Sequence, residues 1–123
     1  MRKFWFTVAS AVLIPAASTL AASLIATPAL RPPVGGSVQC SVANVSGTRT
    51  IQSVMTIHEF NGSAAFGPDS NTLGPNENVS AQAFGITQGQ CTVEVTSGSK
   101  KDVRVALEVL DATGKTLAAV NGW

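Results

Sequence analysis

Residues 91–109 read CTVEVTSGSKKDVRVALEV. Cys91, Val93 and Val95 alternate with Thr92, Glu94 and Thr96. After a polar break at 97–101, Val103, Val105, Leu107 and Val109 alternate with Arg104, Ala106 and Glu108. Successive side chains of a strand point to opposite faces, so a period of two gathers the apolar residues on one face. The stretch predicts two half-buried strands. Asp111, Ala112, Thr113 and Gly114 then form a hairpin turn, with Gly114 suited to positive φ. Residues 117–120 return as a last strand, and the three strands read as a meander.

The same period appears upstream. Val38, Cys40 and Val42 alternate with Gln39 and Ser41, and a turn-rich stretch follows at 44–48. Residues 50–60 predict another strand, with Ile51, Met55 and Ile57 on one face and Val54, His58 and Phe60 on the other. Residues 61–77 contain Asn61-Gly62, Gly67-Pro68-Asp69 and Gly74-Pro75-Asn76, all turn formers. They read as irregular, with a short edge strand around residues 64–66. Residues 78–86 form a weaker strand, Val79, Ala81 and Ala83 facing one way and Phe84 and Ile86 the other. No run after the first segment has helical spacing of three and four. The expected fold is all-β, a small sandwich of six to seven antiparallel strands preceded by a signal-peptide helix.

That first segment has the order of a secretory signal. Arg2 and Lys3 precede an uncharged apolar run at 4–14, then Pro15 and the small residues of 16–23. Cleavage is expected after Ser18, Ala21 or Ser23. The alternative is an uncleaved anchor, since residues 4–26 carry no charge and are long enough to span a bilayer. Pro15 and the Ala/Ser-rich half weigh against it. The chain divides into a signal peptide (1–23), a Pro/Gly-rich tether (24–36) and a β domain (37–123). In the tether, Pro28, Pro32 and Pro33 favour unpaired extended backbone, and Gly35-Gly36 gives a flexible join. The expected location is secreted or periplasmic, with no stable membrane insertion after cleavage.

All 123 residues together carry a net charge of +1; beyond the signal, six basic residues against seven acidic ones leave about −1. A near-neutral chain lacks the concentrated basic face of an electrostatic nucleic-acid binder. One histidine and two cysteines are too few nitrogen and sulfur ligands for a zinc site.

Cys40 and Cys91 each follow a glutamine, and each has a valine two residues on, on its own face. Both sulfurs are expected in the core. In an exported protein two cysteines pair, and closing a loop of about 50 residues is worth roughly 3–4 kcal/mol. Two buried free thiols are the alternative. No Cys-x-x-Cys spacing points to a redox pair.

Two inter-sheet cysteines so spaced resemble those of an immunoglobulin-like domain, although no tryptophan lies between them and the chain has no tyrosine for a tyrosine corner. Residues 40–46, 91–95 and 101–119 resemble a group of small exported bacterial β-sandwich proteins with no assigned activity. The resemblance implies export and fold and carries over no functional residues.

Candidate chemistry is sparse. His58 and Glu59 are adjacent but point to opposite faces of a strand, and no Gly-x-Ser-x-Gly elbow occurs. No catalytic residue is expected. Asp69, Ser70, Asn71, Asn76, Glu77 and Asn78 offer oxygens, but calcium needs six to eight from a spaced array and turn formation accounts for them. No metal and no cofactor are expected. Lys100, Lys101 and Arg104 form a small basic group at a hairpin, read as solvated, with weak contact to an anionic surface as the alternative. Asn44, Asn61 and Asn78 begin Asn-x-Ser sequons. Trp123 reads as a packing or edge residue, since about 100 residues are too few for a spanning barrel.

The expected function is a non-enzymatic binding or structural role toward a protein or surface partner, with the oligomeric state open. A small hydrolase is a third reading, disfavoured by the missing catalytic inventory. The expected binding surface is the irregular stretch, with Phe60, Asn61, Phe66, Asp69, Asn71, Asn76 and Glu77, because long loops on a rigid scaffold commonly carry function. The alternative is a subunit of a surface or pilus-like assembly joined by strand addition.

Overall fold

A computed structural model describes residues 23–123. The signal-peptide helix, and cleavage after Ser18 or Ala21, lie outside the described residues. Eight strands follow one another: β1 (Leu24–Ala26), β2 (Ser37–Asn44), β3 (Ile51–Glu59), β4 (Ala64–Leu73), β5 (Asn78–Phe84), β6 (Gly89–Ser97), β7 (Val103–Leu110) and β8 (Thr116–Asn121). They form two antiparallel four-stranded sheets, β1-β6-β3-β4 and β5-β2-β7-β8. The apolar faces predicted by alternation meet between them: Val38, Cys40, Val42, Leu107 and Val109 from one sheet, Ile51, Met55, Ile57, Cys91 and Val93 from the other. Cys40 on β2 and Cys91 on β6 are disulfide-bonded across this core.

Residues 37–123 hold seven of these strands, within the expected six to seven, and β1 adds one from the supposed tether; three local readings need correction. The first is the meander. β7 and β8 form the expected hairpin, but β6 and β7 lie in different sheets. A 3-10 turn, Lys100–Asp102, capped by the Ser99 hydroxyl, carries the chain across the end of the sandwich. The Asp102 carbonyl accepts the Val45 N–H at 2.8 Å there, and β7 enters beside β2. Gly98, at φ +107°, makes the crossing; a Cβ there would run into the Ile51 side chain.

The second is the irregular stretch. Residues 64–73 are one ten-residue strand, β4, along the free side of β3. Its turn formers are absorbed by a bulge in the ladder between Met55 and Ile57. Gly67 sits there at φ +89°, so close to the Met55 carbonyl that no Cβ fits. Pro68 is tolerated because an edge strand has N–H groups that no neighbour needs.

The third is the tether. Residues 24–30 run along β6 instead of hanging free. β1 pairs with Glu94, Val93 and Thr92. Thr27 is buried; its N–H donates to the Cys91 carbonyl at 2.9 Å and its hydroxyl accepts the Cys91 N–H at 3.0 Å. Leu30 and Gly89 exchange a reciprocal pair of bonds at 2.9 and 2.8 Å. Only residues 31–36 keep the character of a loop.

The C-terminal segment closes the opposite side. The chain stays on β7 through Gly122, whose N–H donates to the Val105 carbonyl at 2.9 Å, and then leaves it: Trp123 exchanges backbone bonds with Ala26 at 3.2 and 3.3 Å. One strand thereby passes from the edge of one sheet to the edge of the other.

Candidate functional site

The strand directions put one set of loops at each end of the sandwich. The end where β3 and β5 finish and β2 and β6 begin carries residues 31–36, 60–63, 85–88 and 111–115. Arg31, Phe60, Thr87 and Gln88 line a cleft of about 350 Å³ there. Arg31 and Thr87 also line an adjoining cleft of about 410 Å³ with Pro33, Val34, Gly85 and Ile86. Arg31 and Thr87 line both, so the two clefts adjoin as a groove at this end. Val34 is fully exposed, Phe60 is 70% exposed, and Phe84, beside Gly85, is 68% exposed.

The sequence-predicted binding residues are divided by the fold. Phe60 and Asn61 sit at this end, Asn61 closing an Asx turn with the Ser63 N–H at 3.0 Å. Phe66, Asp69 and Asn71 are in β4: Phe66 packs against the core, and the Asn71 amide donates to the Asp69 carboxylate at 3.2 Å. Asn76 and Glu77 are at the far end, where the Glu77 carboxylate accepts the Gly74 N–H at 2.6 Å. The lining includes instead Arg31 and Val34, while Phe84 is exposed on the outer face at the end of β5. Phe84 carried a signal, a large aromatic on the polar face of its strand. Arg31 and Val34 carried none, being part of a segment read as a linker.

His58 is engaged on the outer face of its sheet. Its Nε2 lies 2.9 Å from the Thr92 hydroxyl and its Nδ1 3.4 Å from the Gly62 carbonyl. The contact joins a base to a hydroxyl across β3 and β6. Both strands have a neighbour on each side. The Ser63 hydroxyl reaches the Glu59 carboxylate at 3.5 Å. Among the described residues, no three His, Cys, Asp or Glu side chains gather as a metal-binding group.

At the β7–β8 turn the Asp111 carboxylate accepts the Thr113 hydroxyl at 2.6 Å and the Lys115 and Thr113 N–H groups at 2.9 Å. These bonds, the Thr113 hydroxyl foremost, hold its pKa below the ordinary value.

Asn44, the first sequon asparagine, is buried at the end of β2. Its amide donates to the carbonyls of Arg49, Leu73 and Gly74 at 2.7–3.0 Å, and its oxygen accepts the Ser46 N–H at 2.9 Å. It is a structural clasp joining two loops. Asn61 and Asn78 are exposed.

These features define a disulfide-bridged, β-sandwich-like domain with an apolar, arginine-bearing groove at one end. Set against protein families, curated proteins and solved structures, the chain matches none. The disulfide points to an oxidising, extracytoplasmic environment, and among the described residues no helix is long and apolar enough to cross a membrane.

Proposed function

We propose that the protein is exported, released to the periplasm or medium, and acts without catalysis as a binding module whose groove at Arg31 docks a protein or surface partner. One observation carries this reading: Val34 and Phe60, two exposed large apolar side chains, line the clefts with Arg31, and exposed Phe84 ends its strand at the same end. Exposed apolar residues scattered singly are ordinary. Aromatic residues gathered with an arginine have the composition of interface hot spots. The signal-like first segment and the resemblance to small exported bacterial proteins support export. An immunoglobulin-like reading is supported by the β2–β6 disulfide with β2–β5 and β3–β6 pairing. The order departs from that pattern where β7 lies beside β2 and β1 beside β6.

Photo-crosslinking residues placed at 34 and 60 in the producing cells test the proposal. Adducts of one defined mass at both positions, and not at Ser80 on the outer sheet face, are expected. Equal labelling at Ser80, or no adduct anywhere, rejects the groove as a docking site.

A second reading, strand addition into an assembly, is favoured by β8. This is a free edge strand, exposed along most of its length and without charge or proline (TLAAVN). The tether's own strand already sits beside β6, and of the two edges of the other sheet, β5 and β8, β8 is the more exposed. Sedimentation showing a monomer at millimolar concentration rejects it.

A further inference from the structure

Where the chain leaves β7 to reach β1, Val103 and Arg104 have no outer strand neighbour among the described residues. The gap between β1 and β7 is a cleft of about 540 Å³, within the range of about 300–1,000 Å³ typical of small-molecule sites. Its floor is Ile25 and Val103, both core residues. One wall is Gly122 and Trp123. The Trp123 backbone is fixed by its two bonds to Ala26, yet the residue is 76% exposed. An exposed indole on a fixed backbone is an apolar surface open to a ligand.

Among the described residues, each ionisable side chain lining the cleft is cationic: Lys100, Lys101 and Arg104. They are half of the six basic residues beyond the first segment, in a stretch that also holds seven acidic ones. Asp102, the acid of the same turn, is taken by Arg49 at 3.1 Å. The Arg104 guanidinium is held by the Lys101 and Val103 carbonyls at 2.8 and 3.1 Å through one nitrogen, which leaves its other donors for a ligand.

We propose that this cleft binds a free amphiphilic anion, a single carboxylate on a flexible apolar chain. The chain lies over Ile25, Val103 and the Trp123 indole, and the carboxylate meets Lys100, Lys101 and Arg104. The site lies away from the Arg31 groove and is independent of the binding-module reading.

The full chain with Trp5→Phe has Trp123 as its single indole, so its fluorescence reports the cleft directly. Titration with dodecanoate below its micelle concentration is expected to give a saturable blue shift. Uncharged dodecanol is expected to bind about tenfold more weakly, the size of one charge-assisted contact. The exposed pair Lys100→Gln and Lys101→Gln is expected to lower dodecanoate affinity about tenfold and leave dodecanol unchanged, with the same melting temperature. Four results overturn the proposal: no saturable shift; equal affinity for the two probes; response to anionic phospholipid vesicles but not to monomeric dodecanoate; or a shift that tracks protein concentration without ligand, which would put a second copy in the cleft.

Discussion

Reducing the Cys40–Cys91 bond is expected to remove about 4 kcal/mol of stability. The two cysteines are 51 residues apart, and the chain-entropy relation gives about 4 kcal/mol at 25 °C for a loop of that length. Domains of this size commonly have a total of about 5–15 kcal/mol, so the bond is a large fraction of what holds the sheets together. One kcal/mol moves the melting midpoint of a domain near 100 residues by about 4–8 °C; the reduced protein should melt about 15–30 °C lower. The structure adds a kinetic expectation. Both sulfurs are fully buried on strands with neighbours on each side, β2 between β5 and β7 and β6 between β1 and β3. A reductant reaches them only when the sandwich opens, so reduction in native buffer should follow the unfolding rate, while reduction in denaturant should be immediate. The assay is urea unfolding at 25 °C, followed by circular dichroism, of oxidised protein and of protein reduced in denaturant and refolded under reductant. A difference below about 1 kcal/mol would refute the entropic reasoning, and equally fast reduction with and without denaturant would refute the buried placement.

Asn44→Ala should cost about 2–3 kcal/mol in the same urea assay, because it removes a buried amide that bridges the Arg49, Leu73 and Gly74 carbonyls at the end of β2. Expressed through a eukaryotic secretory route, the protein should carry glycans at Asn61 or Asn78 and none at Asn44, read by peptide mass mapping; a glycan at Asn44 contradicts its burial. Thr27→Val keeps the shape but removes the acceptor of the Cys91 N–H. It should cost about 1–2 kcal/mol and speed hydrogen exchange at the Cys91 amide, and unchanged exchange there would show that residues 24–30 do not pair with β6. The Asp111 carboxyl should titrate below its ordinary 3.8 by NMR. Its folded pKa is depressed, so its contribution is present above the ordinary carboxylate range and is lost as pH falls through the folded value; a midpoint at or above 3.8 refutes the turn's bonding.

Alternation at 38–42 and 103–109, the turn at 111–114 and the paired cysteines were legible because each is a local pattern or follows from the compartment. The choice of pairing partner is not local. Nothing in the composition of residues 24–30 says that Cys91 and Gly89 will take up their backbone groups, and nothing in Gly67-Pro68 says that the Met55–Ile57 bulge will absorb it. The consequence is sharpest at residues 97–102. In a meander that turn would project into water, and Lys100, Lys101 and Arg104 would be the solvated cations they resemble. Because β7 crosses to the other sheet, the same turn lies over the open edge between β1 and β7. There it meets Ile25 from the supposed tether and Trp123 from beyond the last strand. Three segments that each read as surface are brought together only by strand order, so the cleft could not be seen until the β6–β7 connection was known.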